Sequence, residues 1–232
     1  MTAYDDCIVR VGMAPRAAGT THAAFAAHWR TAHADAASQL PGLRGYVQNH
    51  AVLRDGRPLL PYPGFDACSE LLFDDLAAMD AAFESETFRT TVQDDERGFV
   101  DKTQFTGLIA RRRVLLDAPA REDDVKLLTL WRPAPGRTAA ELTDALARTA
   151  ANDGARPALR RREQLVEVDG AHAGRWPAAC SVIDVEVFGD VEEALAGLAG
   201  AAADSPLRDL AGIGQAVGRH LARAVTVMAP PS

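Results

Sequence analysis

The chain has 232 residues, enough for one large domain or two of ordinary size, and its 47% hydrophobic and 25% charged residues are the composition of a folded protein, neither disordered nor disulfide-scaffolded. Thirty-two acidic against 25 basic residues leave a net charge of −7, which offers no concentrated basic face to nucleic acid. Cys7, Cys68 and Cys180 have no CxxC spacing, the start MTAYDDCIVRVGM shows no signal-peptide pattern, and no apolar window reaches about 18 residues, so the expectation is a reduced, cytoplasmic protein without a membrane span or thiolate zinc site.

In chain order, CIVRVGMA at 7–14 reads as a strand, and Gly19-Thr20-Thr21 caps a helix that runs to about Leu40 and stops at Pro41-Gly42. GYVQNHAVLR at 45–54 alternates as a strand, the turn-rich DGRPLLPYPG follows, and ACSELLF at 67–73 is the next strand. DDLAAMDAAFES is helical by Asp capping and by the spacing of Leu76, Met79 and Phe83. The charged stretch DDERGFVDK then leads into a closing strand, FTGLIARRRVLL at 105–116.

LDAPAREDD at 116–124 reads as a linker, and beyond it the same order returns. VKLLTLW at 125–131 is a strand, TAAELTDALARTAAND at 138–153 a helix and LRRREQLVEVD a strand; CSVIDVEVF at 180–188, DVEEALAGLAG and HLARAVTVM at 220–228 add strand, helix and strand. Each half spells β-α-β-β-α-β, so the expected class is α+β, with ferredoxin-like (split βαβ) domains at 1–118 and 125–230. A four-stranded sheet with both helices on one face leaves the other face bare, and two such faces in one chain cover each other, which predicts an intramolecular barrel. Two independent domains, with their bare faces covered by another chain, are the competing arrangement.

The densest cluster of polar and aromatic residues is FAAHWRTAHADAA followed by PGLRGYVQNH. Phe25, Trp29 and His33 are successive i,i+4 neighbours, with His28 about 100 degrees off that line. On the next strand Tyr46, Gln48 and His50 share one side, a row of phenol, amide and imidazole that needs partners wherever it is buried. It therefore meets solvent or lines a polar pocket. An imidazole exchanges protons near neutrality and a phenol can donate to a developing oxyanion, so the row is competent for acid–base chemistry. Glu70, in an otherwise apolar strand, has to be paired or hold a raised pKa. Three N/O ligands from His33, His50 and Glu70 would suffice for a metal, but no short ligand spacing backs that reading. The runs Arg111–Arg113 and Arg160–Arg162 read as partners of acidic runs, and Gly212-Ile213-Gly214 with Gly218 precedes a last strand where a dinucleotide fingerprint would follow a first one.

Phe25, His28-Trp29-Arg30, His33-Ala34, Leu40-Pro41-Gly42 and Tyr46-Val47-Gln48-Asn49-His50, continued by Glu70-Leu71, Phe73, the Phe88 region and Phe99, give residues 5–118 a resemblance to the EthD family of the dimeric α/β-barrel superfamily. The resemblance implies acid–base action, as a dehydratase or an isomerase/cyclase, on a small cyclic substrate that is aromatic, polyketide-like or a lactone, without metal or organic cofactor; related barrels include cofactor-independent monooxygenases. Carried over, His33, Tyr46 and His50 would face a pocket between sheet and helix, with Gln48 and Glu70 nearby and Trp29 and Phe73 in its wall. His50 is the first choice for base, His33 its partner and Tyr46 the ligand of the substrate oxygen. The second half has neither the HW pair nor a YVQNH equivalent, so it resembles a degenerate copy; His172 and Trp176 fall in a connection and read as exposed. A ligand-binding protein that has lost its chemistry, and a metal-dependent oxygenase, are the other function classes. The pseudo-dimeric chain would work as a monomer or pair as a homodimer.

Overall fold

In the computed structural model the described residues are 6–119, 121, 123–150, 158–203, 210 and 212–229, without the side chains of 150 and 200–203. The first half supplies strands β1 (Ile8–Ala14), β2 (Gly45–Ala51), a small hairpin β3 (Leu53–Arg54) and β4 (Arg57–Pro58), then β5 (Ala67–Phe73) and β6 (Thr106–Leu116). The second supplies β7 (Val125–Pro133), β8 (Leu159–Glu167), β9 (Val182–Phe188) and β10 (Gly214–Met228). Apart from the hairpin, these strands form one closed barrel in the order β1-β5-β2-β10-β7-β9-β8-β6. Every pairing in it is antiparallel. The halves meet along β2·β10 and β6·β8, so each sheet edge is paired by the other half and the barrel has no open edge.

Closure turns one face of every strand into a lumen and the other toward helices. Val9, Val11 and Met13 of β1, Cys68 and Leu72 of β5, Leu128 and Leu130 of β7 and Ile183 and Val185 of β9 fill the lumen as a dry core. The alternate residues pack under helices α1 (His22–His28), α2 (Ala34–Ala37), α3 (Leu76–Glu84) and α4 (Gln93–Phe99) in the first half, and α5 (Ala139–Ala150) and α6 (Val191–Ala203) in the second. Caps start these helices where the sequence places them. Thr21 Oγ1 accepts from Ala24 N at 3.1 Å and Asp75 Oδ1 from Ala78 N at 2.7 Å, while Thr138 and Glu141 form a reciprocal capping box at 3.1 and 2.8 Å.

Several elements differ from the sequence reading. The charged stretch DDERGFVDK, to which the sequence pattern assigns no element, is mostly helix: a π-helical turn, Phe88–Val92, runs into α4, and Asp94, Asp95 and Glu96 fill that helix's first turn. The first helix carries a second π turn at Trp29–His33 between α1 and α2. The last strand begins at Gly214, six residues earlier than expected, so Gly214 and Gly218 are part of the sheet, Gly218 beside a bulge, while Gly212 lies in the turn before it. The tail of the expected 138–153 helix, part of the 116–124 linker and the ends of the chain fall outside the described residues.

Candidate active site

The row on β2 is buried under the first helix, and its members satisfy one another. Gln48, 0% exposed, donates from Nε2 to the Trp29 carbonyl at 2.6 Å and to the Tyr46 hydroxyl at 2.9 Å, while its Oε1 meets His50 Nε2 at 2.8 Å. An amide oxygen only accepts, so the His50 proton is on Nε2. His50 also lies against Trp29, with ring centroids 4.5 Å apart. Burial, with help from Arg30 and His220, lowers its pKa to about 4, so it is neutral at pH 7. His50 therefore serves to fix the Gln48 amide, and it does not reach the cavity beside this row.

That cavity lies between the outer face of β1, β2 and β5 and the helices of the first half. Its volume is about 40 Å³, and Arg10, Gly12, Trp29, His33, Tyr46, Ser69, Phe83, Glu96, Phe99, Lys102 and Phe105 are among its lining. This is room for a few waters but not for an aromatic ring system. The two π turns supply Trp29 and His33 on one side and Val92 on the other. Such irregular turns recur at functional sites because they re-aim side chains.

His33 is 8% exposed, and its Nδ1 lies 2.8 Å from Asp95 Oδ2, whose other oxygen is 2.7 Å from His28 Nε2. The carboxylate accepts, so neutral His33 carries its proton on Nδ1 and keeps the Nε2 lone pair for the cavity. Burial lowers the His33 pKa and the Asp95 hydrogen bond opposes that shift; the net direction is down, which leaves a neutral base at pH 7. Phe99 fixes the ring from the side, with centroids 4.9 Å apart. The Tyr46 hydroxyl accepts from Gln48 and is hydrogen-bonded by the Trp29 side chain, and burial pushes its pKa up to about 12. A phenol so placed stays protonated and is a donor.

Glu70 is elsewhere. It pairs across β2 with Val47, on the lumen side, and is held by Arg112 Nη2 at 2.7 Å, Lys126 Nζ at 2.9 Å and Asn49 Nδ2 at 2.9 Å. Burial alone would raise its pKa, but the two cations overcome that and keep it well below the usual carboxylate range. It neither joins the cavity nor meets His33 and His50, so the three-ligand arrangement fails on geometry; among the described residues no other group of three such ligands converges. Phe73 is fully buried beneath the helices, in edge contact with Phe83, and does not line the cavity.

Asp95, Glu96, Lys102, Arg10 and Trp176 escaped the sequence reading. The signal for the acids was Phe88, Val92 and Phe99 at helical spacing through and just before the charged stretch. For Arg10 it was a charge at a helix-facing position of an apolar strand. Trp176, expected to be exposed, instead lies 4.8 Å from the Arg10 guanidinium carbon and 5.4 Å from the Phe105 ring, and His172 Nε2 accepts from Ile109 N at 3.1 Å. Trp176 thus brings the second half against two residues of that cavity's lining, Arg10 and Phe105.

Its own equivalent site is filled. Gln164 pairs with the third residue of β9 as Gln48 pairs with the third of β5, and both donate to a helix carbonyl. This is the counterpart that LRRREQLVEVD had not revealed. The positions matching Tyr46 and His50 hold Arg162 and Val166, and Arg162 forms a buried pair with Asp184 at 2.8 and 3.0 Å, with Thr149 Oγ1 at 2.9 Å.

No curated protein matches the chain. Among solved structures it is similar to an anthrone oxidase-like protein, with a TM-score of 0.67 at 11% identity over 98% of this chain and 96% of that one. A putative monooxygenase from Lactobacillus acidophilus has a TM-score of 0.56 at 12% identity, over 96% of this chain and 95% of that one. A putative chlorite dismutase has 0.55 at 11%, over 95% of each chain. At such identities the likeness is one of fold, the doubled ferredoxin-like barrel. Within that barrel, residues 17–103, which carry His33, Tyr46, Asp95 and Glu96 but neither Arg10 nor Trp176, match the EthD domain.

Proposed function

We propose that the protein is an enzyme that takes a proton from a small enolisable cyclic or aromatic substrate in the first-half cavity and passes the resulting carbanion to dioxygen, a monooxygenase reaction of the barrel type. The observation that carries this reading is His33: a buried imidazole, oriented by Asp95, that lines the same cavity as Tyr46. His33 Nε2 removes a ring CH2 proton that is acidic through conjugation with a ring carbonyl, and Tyr46 donates to the oxygen on which the charge collects. Dioxygen accepts the carbanion's electrons, the proton returns to give a hydroperoxide, and loss of water leaves a carbonyl. One CH2 and one O2 become one C=O and one H2O, so the electrons balance without another reductant. Gln48 and His50 position Tyr46.

Supporting this reading are the fold shared with proteins described as anthrone oxidase-like and monooxygenase. The EthD match favours a second reading that uses the same first step, in which the carbanion is reprotonated elsewhere or expels a hydroxyl group, an isomerisation or dehydration. Anthrone is a suitable probe for the oxygenase and, through its enol tautomer, for the isomerisation. Oxygen uptake equal to substrate consumed, falling by roughly 10²-fold or more in His33→Ala, supports the oxygenase. Turnover without oxygen uptake selects the second reading, and substrate retained without product makes the chain a binding protein.

Any ring system must first widen the cavity. Phe83 and Phe105 are half-buried, and their rotation is the least disruptive way to open it.

A further inference from the structure

Arg10 is the least expected residue of the cavity. It is 8% exposed, it projects from β1 beneath the helices, and its Nε is buried without a hydrogen-bond partner. Among the described residues its guanidinium makes no ion pair. Its surroundings are three half-buried rings, Phe83 at 4.0 Å, Trp176 at 4.8 Å and Phe105 at 5.1 Å from the guanidinium carbon. Rings soften the charge, but they supply no lone pair to the N–H donors. The carboxylate that acts on Arg10 is Glu96, and Glu96 Oε2 is already engaged by Lys102 Nζ at 2.7 Å. The cavity therefore holds one cation more than this pair can balance, and a buried guanidinium whose Nε has no partner is costly unless something completes it.

The floor beside it is kept open. Gly12 lines the cavity, and a Cβ there would stand 3.0 Å from Ser69 Oγ and 3.2 Å from Arg10 Nη1. A methyl group would fill the space in front of the guanidinium.

We infer that Arg10, caged by Phe83, Phe105 and Trp176, is the anchor for a carboxylate on the substrate, so that the preferred substrates are aromatic monocarboxylates. The fork of the guanidinium takes both carboxylate oxygens, and the cage rings contact the substrate's ring. Arg10, Phe105 and Trp176 fall outside residues 17–103, so this anchor belongs to the chain's own assembly, with Trp176 brought in from the second half. The inference rests on reading this cavity as the substrate site.

Calorimetric titration with 1-naphthoate and with its methyl ester tests it without turnover. The intact protein should bind the acid about 10- to 100-fold more tightly than the ester, and Arg10→Met should abolish that preference. Should Arg10→Met fail to fold, Arg10→Lys keeps the charge but not the fork; it should reduce the acid-over-ester preference several-fold. Equal affinities of the intact protein for acid and ester, no binding of the acid, or a variant that weakens both equally would overturn the inference. Failure of proton abstraction by His33 would leave this binding result standing, so the two claims fall separately.

Discussion

Gln48 and Gln164 give a test of the energetics in which the fold supplies its own control. Both are 0% exposed, both sit at matching positions of β2 and β8, and both donate to a helix carbonyl. They differ in what else depends on them. Replacing Gln48 by Met keeps the volume but strands two buried groups at once, the Trp29 carbonyl and the His50 N–H, and takes one of its two side-chain partners from the Tyr46 hydroxyl. At about 1–3 kcal/mol for each buried group left without a partner, and allowing a water to enter from the adjoining cavity, the cost should be about 2–4 kcal/mol. Gln164 makes one long bond, 3.4 Å to the Thr143 carbonyl, and its Oε1 has no partner. Gln164→Met also removes that unsatisfied oxygen, so its cost should be under about 1 kcal/mol. Urea unfolding of both variants, read as the shift in midpoint at constant slope, makes the comparison. Equal costs, or a Gln48→Met cost below about 1 kcal/mol, would show that the hydrogen-bonded row is not what holds this face together.

Glu70 joins the halves through Lys126 inside the lumen, and Glu70→Ala removes the carboxylate that holds Lys126 while Arg112 keeps Glu163 at 3.5 Å, so it should cost about 3–5 kcal/mol; a loss under about 1 kcal/mol would show that Lys126 does not depend on this pair. His33, His50 and His220 are all neutral when folded, their pKa values lowered first by burial, so the unfolded chain binds more protons just below pH 6.5. Stability should therefore rise with pH from about 4 to 6.5 and level off above; a melting temperature higher at pH 5 than at pH 7 would contradict this. As the base, His33 has to be neutral, so kcat/KM should be flat above pH 6.5 and fall only below it, as the lowered pKa is crossed. A fall that starts above pH 7 would remove His33 from that role. At Gly107 a Cβ would lie 2.4 Å from the Val11 carbonyl, a backbone atom, so Gly107→Ala should open the β1·β6 pairing and lower the yield of folded protein.

The barrel was legible because period and order survive in the sequence: ACSELLF and VIDVEVF, each ending in a buried Phe, mark the same strand in the two halves. The bare-face argument then forces closure. The site was legible in part. Phe25, Trp29 and His33 do share a buried line, and Tyr46, Gln48 and His50 do share a face. What a period cannot say is which of two histidines faces a void and which is tied up by its neighbour; that depended on Gln48, whose amide takes the His50 proton. Nor does strand alternation tell lumen from helix side, so Glu70 was grouped with residues on the far face of its sheet. Asp95 was hidden because an acid-rich helix start looks like a loop when its apolar positions are interrupted by a π turn. Trp176 was hidden because a loop's destination depends on the closed barrel, not on its own residues.

The central claim is that His33, oriented by Asp95, takes a proton in the first-half cavity. Anaerobic exchange of the acidic ring hydrogens of anthrone into D2O measures that step without its oxidative sequel. The folded protein should accelerate exchange over buffer, and both His33→Ala and Asp95→Asn should reduce the acceleration by roughly 10²-fold or more. Unchanged exchange in both variants, or no acceleration by the intact protein, would contradict the account.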